Sequence, residues 1–372
     1  MALKEILTDP RSRWMEDGGP EADVVVSSRV RLARDLAVYP FPHRLRAEQA
    51  EEVLHAVRLA LDRPEVTKRL GKMEFMRLTE LTPVERHVLV EKHLVSPDFL
   101  KGNPAGKAVV IRQDETVSIM VNEEDHLRIQ CLMPGLALQE CWELAGAVDD
   151  ALEATLEYAF NEEFGYLSAC PTNVGTGLRA SVMMHLPGLV ATRVIDEVIS
   201  GLSKLGLTVR GLYGEGTRAA GSLFQVSNQI TLGRQEAEII NNLTALARRL
   251  VSQEREARQR LHREQRGALE DRIFRSYGVL QYARVLNSEE AMRSLSDLRL
   301  GLALKIIKKL PLSIVSELMV LSQPAFLIRL AGKELNPSER DVLRAQLIRE
   351  RLQGKRTGAG SEGRGNKKGN TD

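Results

Sequence analysis

The chain has 372 residues, enough for a large core and, by length, two domains. Charged residues make up 27% and nearly cancel at net +2, which is not the balance of a dedicated nucleic-acid binder. The opening M-A-L-K-E-I-L-T-D lacks the apolar core of a signal peptide, and no apolar run reaches a membrane span. The three cysteines, Cys131, Cys141 and Cys170, show no metal spacing. We therefore expect a reduced, cytoplasmic protein without a structural zinc, engaging neither nucleic acid nor membrane.

The first half reads as α+β. Val24 to Val26, Lys72 to Leu78, Ala108 to Arg112, Val117 to Val121 and Leu127 to Leu132 are short, β-rich and closely spaced. Without intervening helices they favour an antiparallel sheet. Pro134 and Gly135 introduce a helix from about Leu136 to Phe160, with Leu138, Cys141, Ala145, Val148, Leu152, Leu156 and Ala159 as its apolar stripe. A strand over Leu178 to Leu186, a helix from Pro187 to about Lys204, and strands near Leu207 to Tyr213 and Ser222 to Ser227 follow. From Arg234 the apolar spacing turns helical. The expected division is a catalytic α+β domain over residues 1–255, an all-α domain over 256–353, and a disordered tail over 354–372, where no large apolar side chain remains. The boundary near Arg255 falls in a segment that reads as one long helix.

Four segments carry the chemistry. S-S-R-V-R places Arg29 and Arg31 on one face of a strand. N-E-E-D-H-L-R supplies Glu123, Glu124, Asp125 and Arg128; on a strand, Glu124 faces away from its two acidic neighbours. C-P-T-N-V-G-T-G-L-R sets Cys170 in an irregular loop whose Gly175 and Gly177 bring backbone close to something, with Arg179 beyond. R-G-L-Y-G-E adds Arg210 and Glu215. Singly, these arginines read as solvated strand residues and the acids as exposed turn residues. Together they suit a polyphosphate clamp, because guanidinium groups bind phosphate bidentately and keep their charge. Two carboxylates could fork onto a guanidinium and orient one nitrogen for in-line attack, positioning being most of phosphoryl-transfer catalysis. There is no Walker A G-x-x-x-x-G-K-[ST], and no G-x-G-x-x-G opens a helix. Cys131 and Cys141 read as small buried hydrophobes, whereas Cys170 beside cations favours its thiolate. A Cys-His hydrolase is the rival, but none of the seven histidines has a diagnostic context.

These segments, in this order, resemble the ATP:guanido phosphotransferases, the creatine and arginine kinase family, over about Asp23 to Ala257. The resemblance implies an antiparallel sheet flanked by helices and the use of ATP with magnesium, the ion being held mostly by phosphates and water. It assigns Glu124 and Glu215 to the substrate guanidinium and Cys170 to the active-site thiol. It assigns the nucleotide to Ser27, Ser28, Arg29, Val30, Arg31, His93, Arg128, Arg179, Ala180, Ser181, Val182, Met183, Arg210, Gly211, Leu212, Tyr213 and Gly214. Only 26 residues precede Ser27, so the helical domain that caps a small substrate in classical members is missing, and a helical domain follows instead. Both departures resemble the bacterial protein-arginine kinases. That branch has an R-D-x-x-R-A motif for phosphoarginine, matched here by Arg340, Asp341, Arg344 and Ala345, although the same spacing also describes an ordinary salt-bridged helix. The resemblance further implies protein substrates with accessible arginines, a Clp-type unfoldase and protease downstream, and a homodimer. It leaves open whether an activating partner protein is required. A free-arginine kinase and a non-catalytic phosphoarginine-binding adaptor are the alternatives.

Overall fold

The computed structural model describes residues 3–211 and 220–354. The expected tail from residue 355 onward, together with Leu212, Tyr213, Gly214 and Glu215, lies outside the described residues. The helices and strands in chain order are α1 (Leu3–Ile6), β1 (Val25–Arg34), α2 (Ala47–Leu61), α3 (Pro64–Leu70), β2 (Met73–Arg77), α4 (Pro83–Glu91), β3 (Ala108–Arg112), β4 (Val117–Val121) and β5 (Leu127–Pro134). Then come α5 (Leu138–Glu153), β6 (Phe160–Asn161), β7 (Gly165–Tyr166), β8 (Leu178–His185), α6 (Pro187–Ala191), α7 (Ile195–Lys204), β9 (Leu207–Gly211) and β10 (Leu223–Asn228). The rest is helical: α8 (Glu236–Glu264), α9 (Arg266–Tyr282), α10 (Ser288–Ala303), α11 (Ser313–Leu321), α12 (Pro324–Ala331) and α13 (Pro337–Leu352).

The main sheet has eight strands in the order β2-β3-β4-β5-β1-β8-β10-β9, and every neighbouring pair is antiparallel. This is the expected α+β architecture. The central strands separate two environments by their period of two. Val30, Leu32, Cys131, Ala180, Val182 and Phe224 enter an apolar cluster with Cys141 and Val148 of α5 and Leu243 and Ala247 of α8. Part of the other face carries Val109, Met120, Leu132 and Leu223 into a second cluster with the helices from α9 onward. The remainder of that face is polar, and there the arginines stand.

Several local devices fix this frame. Ser28 Oγ donates to the Gly135 carbonyl at 2.8 Å and accepts from Ala137 N at 3.0 Å, tying the start of α5 to β1. Thr82 and Glu85 form a capping box on α4, and Asn336 and Glu339 form one on α13 behind Pro337. Glu254 of α8 accepts from Gly188 N and Leu189 N at 2.8 and 2.9 Å, holding the start of α6. Its partner Arg258 reaches the carbonyls of Asp23 and His185, at 3.0 and 2.9 Å.

Two expected helices are shorter than their periodicity. The stripe that predicts helix to Phe160 outlives α5, which ends at Glu153; Leu156 is still buried, but in a turn. Leu36 pairs with Tyr158 as an isolated bridge, so the chain is already extended there. The helix expected from Pro187 to Lys204 is two, because Arg193 adopts a left-handed φ of 60° between them. Helices α2, α3 and α4, inserted between the early strands, were not expected. Residue 255 lies inside α8, consistent with the long helix expected there, and the second cluster draws on both sides of it.

Candidate active site

Register brings the arginines together. Arg29 lies opposite Leu132 and Ser181, Arg31 opposite Gln130 and Arg179, and Ala33 opposite Arg128. Gln225 lies opposite both Met183 and Arg210. Arg29, Arg31, Arg128, Arg179 and Arg210 therefore share one sheet face, as the strand period of S-S-R-V-R predicts. Val30, Ala180 and Val182 alternate into the opposite core, so only their backbone is near that face. Ser28 likewise points to α5 rather than into the site.

A small cavity on the arginine face is lined by Ser27, Arg29, His93, Ser181, Met183 and Gln225. Arg29 donates to Gln225 Oε1 at 2.9 Å and to Ser181 Oγ at 3.3 Å. His93 follows α4 with a left-handed φ of 62°, and its ring lies 5.4 Å from Trp14. Burial, helped by Arg29, pushes its pKa down to about 4, so it is neutral at pH 7. Gln130, buried beside Arg31, donates to the His93 carbonyl at 2.9 Å and holds this turn on the sheet.

The electrostatics call for an anion. Burial and then the positive charges of Arg128 and Arg179 push the Arg29 pKa down to about 10. Arg31 is depressed further by burial and by Arg29, Arg128 and Arg179, against an opposing pull from Glu123. Its Nε is buried and has no hydrogen-bond partner among the described residues. Crowded, incompletely paired guanidinium groups fit a polyphosphate. Arg179 is lowered by burial, Arg210 and Arg128, and raised by Cys170 and Glu124, so it stands within electrostatic reach of both anionic candidates.

The acidic segment differs from its strand expectation. Residues 122–126 form the turn between β4 and β5, with Asn122 at φ 60°, so the sheet period does not sort the three acids. Glu123 accepts from Arg128 Nη1 at 2.9 Å and from Ser96 Oγ. Glu124 is 49% exposed and 3.9 Å from Arg128, leaving its carboxylate available to a substrate. Asp125 is fully buried and was not singled out by sequence reasoning. It accepts from Ser168 Oγ at 2.7 Å, Ala169 N at 2.8 Å and Asn173 Nδ2 at 3.3 Å. Ser168 Oγ in turn accepts from Cys170 N at 3.1 Å. One carboxyl group thus joins the cysteine loop to the turn that bears Glu124. Burial, then Asp35, raises the Asp125 pKa to about 7.

Cys170 is partly exposed, with Sγ 3.1 Å from Thr172 Oγ1. The close approaches that its loop glycines allow are to the protein's own backbone. A Cβ on Gly175, at φ +111°, would sit 2.7 Å from the Thr231 carbonyl oxygen; one on Gly177, at φ +64°, would sit 2.6 Å from that of Ala33. Thr231 Oγ1 bonds the carbonyls of Thr172 and Val174 at 3.0 and 2.7 Å. Cys131 and Cys141 are buried, and burial raises both thiol pKa values.

Away from the sheet, Arg344 is almost fully buried. It donates to the carbonyls of Ser322 and Leu286 at 2.8 and 2.9 Å and pairs with Asp341 at 2.5 Å. Ala345 packs in the second apolar cluster. Arg340 is half-buried and has no ion pair among the described residues.

Comparison with known proteins places this geometry. Residues 52–257 match the family model for the ATP:guanido phosphotransferase C-terminal catalytic domain, and 266–363 match that for the protein-arginine kinase McsB C-terminal domain. The protein-arginine kinase of Desulforamulus reducens is 59% identical over 352 residues, covering 95% of this chain and 98% of that one. That of Bacillus subtilis is 49% identical over 352 residues, covering 95% and 96%. Lombricine kinase shares the fold at a TM-score of 0.56 and 24% identity, over 68% of this chain and 75% of that one. The substrate-free duplicated taurocyamine kinase of Schistosoma mansoni does so at 0.54 and 25%, over 67% and 36%. By the extent of both matches, this chain belongs to the ATP:guanido phosphotransferase family, in its protein-arginine kinase branch.

Proposed function

We propose that this chain transfers the γ-phosphoryl group of ATP to a guanidinium nitrogen of arginine residues in proteins. The observation that carries the reading is the shared face of Arg29, Arg31, Arg128, Arg179 and Arg210 beside Cys170 and Glu124. The arginines take the phosphate oxygens, and the unpartnered Arg31 Nε gains an acceptor there. Neutral His93, with Ser27, Ser181 and Met183, lines the nucleotide's side of the face. Magnesium would come with ATP rather than be held by a protein ligand set, and would supply neutralisation of charge on the transferring group.

A guanidinium is a poor nucleophile because its lone pair is delocalised and its pKa exceeds about 12. Glu124 grips it through forked hydrogen bonds, and Glu215 is assigned the second grip. The Cys170 thiolate adds negative charge without forming a covalent bond. One guanidinium N–H proton passes to a gripping carboxylate as the N–P bond forms, and ADP departs with the electrons of the broken O–P bond. Positioning supplies most of the rate, as is usual in phosphoryl transfer.

Arg340, Asp341, Arg344 and Ala345 form the proposed phosphoarginine pocket. Arg340 meets the phosphate, while Arg344, held by carbonyls, fixes Asp341 to receive the guanidinium. Marking of clients for a Clp-type unfoldase and protease, a cytoplasmic stress role, response to an activating partner protein and a homodimer complete the proposal.

Phosphorus NMR tests the central claim. The chain is incubated with Mg-ATP and an arginine-rich unfolded protein, or with free arginine, at neutral to alkaline pH. An acid-labile N–P signal on protein alone, lost in Cys170→Ala or Glu124→Gln, is expected. Signal on free arginine alone would make this a small-substrate kinase. Transfer to neither, with phosphoarginine still bound at Arg340, would make it an adaptor.

A further inference from the structure

A cleft of about 300 Å³ lies behind the turn that carries Cys170. Its floor is Gly175, Thr176 and Thr231, and Thr231 is the residue that bonds the Thr172 and Val174 carbonyls. Its walls are apolar and open to solvent: Phe160 is 58% exposed, Phe164 46% and Leu232 50%. Phe160 and Phe164 come from the β6–β7 hairpin, N-E-E-F-G-Y, which is pinned to Gly175 by reciprocal backbone bonds from Tyr166 at 2.8 and 3.2 Å. Exposed aromatic side chains need a reason when they gather around one concavity. Core packing does not supply it here, since their neighbour Tyr166 is the ring that packs inward, its face 3.6 Å from the buried Arg34 guanidinium.

The charge around the cleft selects an occupant. Glu163, in the lining, and Glu162 beside it in the hairpin are exposed and make no ion pair among the described residues, while Glu236, also in the lining, accepts from Trp142 Nε1 at 2.7 Å. Arg234, the cationic lining residue, is already paired with Glu238 at 2.8 Å. The mouth therefore offers unpaired carboxylates beside two phenyl rings and a leucine. That surface complements an extended polypeptide carrying both basic and apolar side chains, and it is continuous with the loop holding the thiol.

Resting on the protein-substrate reading above, we infer that this cleft is a docking subsite for the substrate chain. It takes an apolar side chain a few residues from the target arginine, while neighbouring basic residues face Glu162 and Glu163. A folded protein hides its apolar side chains; an unfolded segment presents them next to arginine. The subsite thus makes local unfolding part of substrate selection.

The test uses the full chain and two probes: reduced, carboxymethylated lysozyme, labelled with fluorescein, and the peptide acetyl-Gly-Arg-Gly-amide. Phe164→Ser/Leu232→Ser alters two exposed side chains outside the catalytic groups. Anisotropy without ATP should show unfolded lysozyme binding the variant about tenfold more weakly, the effect of losing one buried apolar anchor. With Mg-ATP, KM for unfolded lysozyme should rise by a similar factor, with kcat little changed and the tripeptide unaffected. Glu163→Lys should weaken lysozyme binding in the same direction, and added salt should shrink that loss. Unchanged anisotropy, or an equal loss with the tripeptide, overturns the inference. So does a changed sedimentation coefficient of the variant with unchanged KM, which would make the patch a contact between copies of this chain. Because anisotropy needs no transfer, a wild-type chain that binds lysozyme but phosphorylates nothing would defeat the kinase reading alone.

Discussion

At the scale of single residues, the site holds charges that the fold would be more stable without. Arg31 is partly buried among like charges and lacks a partner at Nε. Replacing it with methionine keeps the length and removes the repulsion. Arg31→Met should therefore raise the melting temperature of the nucleotide-free protein while weakening ATP binding at least tenfold, the loss of one charge-assisted contact. Calorimetry and nucleotide titration on the same preparation check both halves; a fall in both quantities would show that Arg31 is a structural residue. The Asp35–Asp125 pair makes a second residue-scale prediction. Asp35 Oδ2 is buried without a donor partner, and Asp125 interacts with it. A proton on Asp125, whose pKa Asp35 helps to raise, would offer that oxygen a donor. His126 Nδ1, 2.7 Å from Asp35, and the donors of Ser168, Ala169 and Asn173 complete the surroundings. A carboxyl pKa raised in the folded state means that the native protein binds the extra proton. The associated stability is present below the ordinary carboxyl range and is lost as pH rises through about 7. Asp35→Asn abolishes the second carboxylate, so the urea midpoint of the variant should gain on wild type between pH 5 and pH 8. A pH-independent difference would contradict a proton on Asp125.

At the scale of elements, the cysteine loop and the α6–α8 junction rest on contacts that can be removed singly. Gly175→Ala puts a Cβ 2.7 Å from the Thr231 carbonyl oxygen at a φ that side chains rarely adopt. It should cost on the order of 2 kcal/mol in urea unfolding and change the alkylation rate of Cys170, which the loop holds. An unchanged alkylation rate would mean that the loop absorbs the strain elsewhere. Glu254→Ala strips Gly188 N, Leu189 N and the buried Arg258 of their common acceptor, and should cost about 3–5 kcal/mol. The exposed pair Arg275–Asp271 is the control: Asp271→Ala should change stability by less than about 1 kcal/mol. These elements also show what the sequence made legible. Strands over Ala108–Arg112 and Val117–Val121 are read to the residue, because short β-branched runs between turns leave little choice. That Arg29 and Arg31 share a face follows from period two; strand register adds Arg128, Arg179 and Arg210. The end of α5 was not legible, because Leu156 is buried in a turn and continues the helical stripe without being helical. Glu123, Glu124 and Asp125 look equivalent in sequence. Their fates diverge through partners up to about 90 residues away, Asp35 and Ser96 among them, which local pattern cannot supply.

At the scale of the whole molecule, the sheet serves two cores, and the helical half is one of them. Val109, Met120, Leu132 and Leu223 project from the sheet into the cluster with Leu295, Leu298, Val315 and Phe326. Glu91, at the end of α4, caps α12 through Ala325 N and Phe326 N, both at 2.8 Å. Burial raises its pKa to about 7. Gln323 and Ser322 precede that helix, and the Ser322 carbonyl accepts from Arg344. The R-D-V-L-R-A segment is therefore tied, through α12 and α4, to the turn that presents His93 on the arginine face. A chain ended after α8 would expose the sheet's second apolar face and release α4 from its cap. Such a truncated protein should bind a hydrophobic dye and lose the cooperative unfolding of the full chain, with its ATP affinity reduced even though the proposed nucleotide-binding residues lie before the cut. Dye fluorescence, calorimetry and nucleotide titration on the two lengths decide it. A truncated chain that unfolds sharply, stays dye-negative and keeps full ATP affinity would mean that the helical half is an appendage rather than part of the catalytic core. The geometry argues otherwise: Glu91 of α4 caps α12, and the apolar cluster that takes Leu132 and Met183 beside the arginine face draws on helices from both sides of residue 255.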